Sequence, residues 1–184
     1  MIIVNRRSVV ETWGSSVDER AAAYGCDGLI ESSDRSLVRA VDVDAPAPLV
    51  FRWLCQLRAA PYSYDVVDNF GRRSPRMLID GLNRLEVGQP FMRIFRLVSF
   101  ENGRSITLDS TTALFGRVAT TYVVTSNDKD RSRLVVKLEF TAARGRLGSL
   151  IRRHVLPAGD LVMMRKQLLT LKKLAERDAG EARG

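Results

Sequence analysis

Four runs of period-two apolar alternation between Phe91 and Phe140, followed by one long amphipathic helical pattern, most restrict what this chain can fold into. Upstream, a further strand-like run at Leu37–Val43 leads through Asp44-Ala45-Pro46 into a short amphipathic helix at Pro48–Arg58. Strands with one apolar face need a partner layer, and a single long helix is available to supply it. The pattern predicts an α+β fold in which a curved antiparallel sheet is closed by the C-terminal helix. A sheet and helix arranged this way tend to enclose a pocket.

The strand pattern is explicit along the chain. Residues 91–100 read as one strand, ended by the hairpin signal Glu101-Asn102-Gly103-Arg104. Ser105–Thr112, Val118–Thr125 and Arg133–Phe140 follow, the last two separated by the polar turn Asn127–Arg131. In the final run Leu134, Val136, Leu138 and Phe140 share one side, with Arg133, Lys137 and Glu139 on the other, so one covered face is expected. In the short helix Leu49, Val50, Trp53, Leu54 and Leu57 recur at helical spacing, with Asp44 as its expected cap and Pro46 or Pro48 in the first turn. Gly71–Gly88 carries loop chemistry. Gly145–Arg177 reads as the long helix, with a kink or break expected near Pro157-Ala158-Gly159. Beyond that point Leu161, Met164, Leu168, Leu171 and Leu174 form its apolar stripe, and Arg165, Lys166, Lys172 and Lys173 its polar face.

With 184 residues, 45% of them apolar, one domain with an ample core is expected. Residues 1–34 read as an N-terminal extension packed on a domain spanning 35–177, and 178–184 as a disordered tail. No apolar run approaches the roughly 18 residues of a membrane span. No secretory leader is read at the N-terminus, and Cys26 and Cys55 stand far apart, which fits a reducing, cytoplasmic setting. The net charge of +8 is uneven: residues 1–90 hold eleven arginines against twelve acids, and residues 91–184 eighteen basic residues against nine acids. Arg144–Arg177 alone carries nine basic residues against Asp160 and Glu176, a balance that suits an anionic partner or a solvated helix face.

Catalytic signatures are sparse. There is no GxSxG, P-loop, HExxH or GxGxxG motif, and one histidine, His154, cannot build a multi-histidine metal site. No metal or cofactor is expected. Asp109 and Glu139 lie on strands but fall out of phase with the apolar set, so both are placed outward. No nucleic-acid motif and no basic patch interleaved with aromatics is present, which argues against DNA or RNA.

One stretch carries a resemblance. The segment Pro61-Tyr-Ser-Tyr-Asp-Val-Val-Asp-Asn-Phe-Gly-Arg-Arg-Ser-Pro75 follows Ala45-Pro-x-Pro-x-Val-Phe-x-Trp-Leu and precedes Asp160-x-x-Met163 and Arg165-Lys-Gln-Leu-Leu169. With Trp13-Gly and Glu19-Arg20 near the start, the chain resembles bacterial members of the START-like, polyketide cyclase (SRPBCC) superfamily, of the actinobacterial type. The resemblance implies a helix-grip fold: a bent antiparallel sheet of six or seven strands gripping the C-terminal helix, with a hydrophobic tunnel between. It further implies carriage of lipids, sterols or polyketides, or in some members cyclisation or dehydration of aromatic polyketides. No catalytic motif of those subgroups maps onto this chain.

Candidate ligand-binding residues follow from the pattern. Tyr62, Tyr64, Asp65, Asn69, Arg72 and Arg73 form the richest polar-aromatic cluster; they either line a chamber mouth or pin a long loop to the sheet. Trp53, Phe91, Phe95, Tyr122, Met163, Met164 and Leu168 either line the chamber or form ordinary core. The function expected is binding or transport of a hydrophobic small molecule. The alternatives are a cyclase, aromatase or dehydratase using Tyr64, Asp65 or Arg73, and a module whose basic helix meets an anionic membrane or acidic partner. The chain is expected as a monomer or homodimer.

Overall fold

A computed structural model describes residues 12–31, 33, 35–63, 73–112, 116–141 and 156–184. Six strands form one antiparallel sheet: β1 Arg35–Val43, β2 Pro90–Phe91, β3 Phe95–Glu101, β4 Ser105–Thr112, β5 Gly116–Ser126 and β6 Ser132–Phe140. Their spatial order is β1-β6-β5-β4-β3-β2, so β1 closes onto the C-terminal hairpin while the rest follow as a meander. Among the described residues three helices accompany them: α1 Val17–Ala21, α2 Ala47–Cys55 with a 3-10 turn at Gln56–Arg58, and α3 Leu156–Glu181. This is the helix-grip arrangement, with α2 and α3 packed on one side of the sheet.

Alternation decides which side chains meet the helices. Leu37, Val41 and Val43 of β1, Ile106 and Leu108 of β4, Tyr122 and Val124 of β5, and Leu134–Phe140 at every second residue of β6 are buried in one cluster. The inner stripe of α3 (Met164, Leu168, Leu171, Leu174, Ala175 and Ala179) completes it. Burying a Leu or Phe side chain contributes about 1.5–3 kcal/mol, so this seam supplies much of the driving force for closure.

Local differences from the sequence pattern have physical causes. Residues 91–100 are two strands, because Met92 and Arg93 take positive φ values of 44° and 68° and turn β2 back onto β3. No glycine marks that turn. The cap of α2 is Pro46 without a side-chain hydrogen bond. Asp44 instead pairs with Arg131 at 3.3 Å, and its backbone N–H donates to the Glu176 carboxylate at 2.9 Å. α3 runs from Leu156 to Glu181, and Pro157 and Gly159 lie in its first described turn, at the point where a break was expected. The stretch 145–155 of the expected helix lies outside the described residues. Asp178 and Ala179, expected in a tail, are part of α3, with Ala179 buried.

The outer face of the sheet is also covered, against the expectation of one covered face. Residues 12–31 cross it: Tyr24 packs on Val38, Ala40 and Val135, while Cys26 and Ile30 pack on Ala119. Two glycines permit the approach. A Cβ on Gly14 would sit 2.1 Å from the Ala40 carbonyl oxygen at φ +72°, and one on Gly25 would sit 2.3 Å from Thr107 Oγ1. Glu139, expected outward, is therefore only 8% exposed. It lies 3.5 Å from Lys137 Nζ, which also bonds Asp27 and sits 5.5 Å from the Tyr24 ring centroid. Burial disfavours the Lys137 ammonium, but the Asp27 hydrogen bond and the two carboxylate charges outweigh it and hold its pKa up. Asp109 does face outward, in a 2.9 Å pair with Arg117.

Arg133 clamps the segment to the sheet. Its guanidinium donates to Glu19 at 2.7 Å and to the Gly14 carbonyl at 2.6 Å, and lies 3.1 Å from Asp42. The Arg133 hydrogen bond holds the Glu19 carboxyl below its ordinary 4.5. A carboxyl lowered in the folded state contributes stability above its unfolded pKa and loses it as pH falls through the folded value. Docking of residues 12–31 is thus expected to be insensitive to pH above about 5 and to weaken below about 4.5. Hydrogen exchange of the Tyr24–Leu29 amides across this range reads the effect, and Glu19→Gln should reduce the pH dependence while the Asp27–Lys137 pair remains in place.

Candidate functional site

The site is the interior between the helix-facing side of the sheet and α3. Register places Arg39, Val136, Tyr122 and Ile106 side by side across β1, β6, β5 and β4. Strands lie about 4.8 Å apart, so Arg39 and Tyr122 are separated by roughly 10 Å along this row. Arg39 is 1% exposed and shares its face with Leu37 and Val41. A guanidinium this deeply placed interacts strongly with any oxyanion or carbonyl, because little water screens it.

Tyr122 is the second polar element. Its hydroxyl donates to Gln167 Oε1 at 2.7 Å, with Met164 Sδ 3.8 Å away. The Gln167 amide in turn donates to the Pro61 carbonyl at 2.6 Å and lies 3.2 Å from Met92 Sδ. One buried amide therefore ties α3 to the sheet, to the chain leaving the 3-10 turn, and to the β2–β3 turn. Both segments it holds carry strained backbone: Tyr62 has φ 56°, as unusual for a bulky residue as the pair Met92–Arg93.

Trp53 and Tyr62 pack edge to face, with ring centroids 6.1 Å apart at 84°, and Trp53 Nε1 donates to the Asp178 carboxylate at 2.9 Å. Phe91 and Leu168 are fully buried in the same cluster, and Phe95 packs against it half-buried. The structure thus brings together Trp53, Tyr62, Phe91, Phe95, Tyr122, Met164 and Leu168. It does not bring Arg73, which is exposed, nor Met163, which faces solvent. Tyr64, Asp65, Asn69 and Arg72 lie outside the described residues, as do His154, Arg144, Arg146, Arg152 and Arg153.

The basic face of α3 is partly engaged within the fold. Lys172 pairs with Glu176 at 2.5 Å and donates to the Asp42 carbonyl, and Arg165 stacks over Trp13 at 5.3 Å. Lys166 and Lys173 remain exposed. Burial pushes the Cys55 thiol up to about 12 and raises that of Cys26, which disfavours the thiolate at both positions. Among the described residues no group of three or more His, Cys, Asp or Glu could hold a metal, and no described helix is long and apolar enough to cross a membrane. Two surface depressions of about 460 and 500 Å³ lie elsewhere. One is on the outer face beside Tyr24, and the other is among Asp44, Asp128, Asp130 and Arg183.

Pattern reasoning missed Arg39 and Gln167. Both carried a signal: Arg39 falls in phase with Leu37, Val41 and Val43, and Gln167 sits three residues after Met164 on the inner stripe of α3.

No protein-family model and no curated relative matches the chain. Solved structures do. A protein from Chromobacterium violaceum superposes with TM-score 0.51 at 14% identity, over 77% of this chain and 97% of that one. The Zhui aromatase/cyclase of a Streptomyces species gives 0.47 at 19% identity, over 78% and 94%. The di-domain aromatase/cyclase BexL gives 0.49 at 13% identity, over 77% of this chain and 46% of that one. The chain shares the fold of the Chromobacterium violaceum protein, an antiparallel sheet with a long C-terminal helix packed on one face, the helix-grip arrangement.

The hydroxyl–amide bond at the centre of the site is directly testable. Tyr122→Phe strands the buried Gln167 oxygen and is expected to destabilise by about 1–3 kcal/mol in urea denaturation. In a double-mutant cycle with Gln167→Leu the combined loss should be less than the sum of the two single losses, because both remove the same bond, while Gln167→Leu alone also costs the bond to the Pro61 carbonyl.

Proposed function

We propose that this protein binds a hydrophobic small molecule, such as a lipid or polyketide, between the helix-facing side of the sheet and α3. The observation that carries this is a small set of buried polar groups, chief among them Arg39 and the Tyr122–Gln167 pair, within a surface that is mostly apolar. Ligand sites have this composition: apolar walls give affinity, and a few fixed polar groups orient the guest. A core built for stability alone has little use for a buried guanidinium, since desolvating it is costly.

Met92 and Met164 flank the Tyr122–Gln167 pair and are the side chains best able to repack around a guest. Non-catalytic binding is favoured because the described interior holds a charge and hydrogen-bonding groups but no base next to a nucleophile.

The test is native mass spectrometry of protein purified from its own host, followed by titration with a panel of fatty acids and aromatic ketones. Retained or titrated guests at one per chain are expected. Met164→Trp, which adds a large ring beside Tyr122, should weaken binding at least tenfold while leaving the far-ultraviolet circular dichroism unchanged. Absence of any guest across the panel removes the proposal, and chemical conversion of a bound ketone would replace binding by catalysis.

A further inference from the structure

The Ser110 hydroxyl is out of keeping with its surroundings. Ser110 lies on β4, two and four residues on from Leu108 and Ile106, and so shares their helix-facing side. Its cross-strand neighbours on that side are Val118 of β5 and, beyond it, Phe140 of β6. The residue is 5% exposed, and its Oγ is shut off from solvent with no hydrogen-bond partner among the described residues. Other hydroxyls on this side of the sheet are satisfied within the protein. Thr120 donates to the Lys137 carbonyl at 2.9 Å, Ser132 to the Ala45 carbonyl at 2.9 Å, and Tyr122 to Gln167 at 2.7 Å.

A buried hydroxyl without a partner is unfavourable, and in native proteins such a group calls for an explanation. Alanine would fill the same space without the penalty. We infer that Ser110 is a hydrogen-bonding subsite for a neutral hydroxyl or carbonyl oxygen carried by the apolar guest. A serine hydroxyl both donates and accepts, so it suits either group and, being uncharged, gives a carboxylate no special advantage. The subsite lies along β4 from the Arg39–Tyr122 row, separated from it by the Thr120–Leu108 row. A guest meeting both therefore carries oxygens at two separated points of an apolar body. The inference rests on the proposed chamber and adds the chemistry of one end of its occupant.

The experiment uses a matched pair of probes, 2-naphthol and naphthalene, titrated calorimetrically into the wild-type chain and into Ser110→Ala. Wild type is expected to prefer 2-naphthol. The variant should lose about tenfold in 2-naphthol affinity, equivalent to about 1.4 kcal/mol, with naphthalene unchanged within about twofold. Without probe, Ser110→Ala should raise the melting temperature by about 2–4 °C, since it removes an unsatisfied group. A fall in melting temperature, or a variant that binds the two probes in the wild-type ratio, overturns the subsite while leaving the chamber standing. Failure of wild type to bind either probe overturns both.

Discussion

Everything in this fold depends on how α3 is seated on the sheet. The apolar stripe of α3 defines which face turns inward, but a stripe of Leu, Met and Ala can slide by a helical turn with little loss of buried area. Register is fixed by polar contacts that have one solution. Tyr122 meets Gln167 near the start of the described seam, and Trp53 meets Asp178 near its end, with Lys172 on the Asp42 carbonyl between them. Because Gln167 is buried, any other register would leave its amide unpaired in a medium of low dielectric. The polar contacts therefore contribute specificity more than raw stability.

The same amide fixes the site. By reaching the Pro61 carbonyl and standing beside Met92, Gln167 brings two strained turns to the edge of the interior. Strained backbone persists only where its surroundings over-determine it. Here the determinants are the Trp53–Tyr62 ring contact and the Met92 N–H bond to the Leu57 carbonyl. Helix, loop and hairpin are thus coupled through one side chain, and a disturbance at Gln167 reaches all three.

Much of this was legible from residue order. Period-two alternation located β1, β4, β5 and β6 to within a residue or two, because each strand buries one face against helices. What escaped was set by contacts distant in sequence. The β2–β3 turn at Met92–Arg93 uses neither glycine nor asparagine, so only tertiary packing selects its left-handed backbone. Lys137 and Glu139 carry charge, which places them outward by pattern, yet Asp27 and Tyr24 arrive from more than a hundred residues away to bury them. Arg39 and Gln167 occupy apolar phases, where pattern reasoning treats a polar residue as an exception and passes over it. Those exceptions are where the chemistry of the interior resides.

Covering the outer face also bears on the inner one. Had β1, β5 and β6 been braced only by α2 and α3, their stability would depend entirely on tight packing in the interior. The clamp of Arg133 on Glu19 and Gly14, the Lys137 contacts with Asp27 and Glu139, and the Tyr24 and Cys26 clusters hold the sheet from behind. Stability located on one face permits the other to keep groups that a core optimised for packing would replace, such as a buried guanidinium and a serine hydroxyl without a hydrogen-bond partner among the described residues. The N-terminal segment thus braces the sheet from the side opposite the candidate site, through contacts that leave that side untouched.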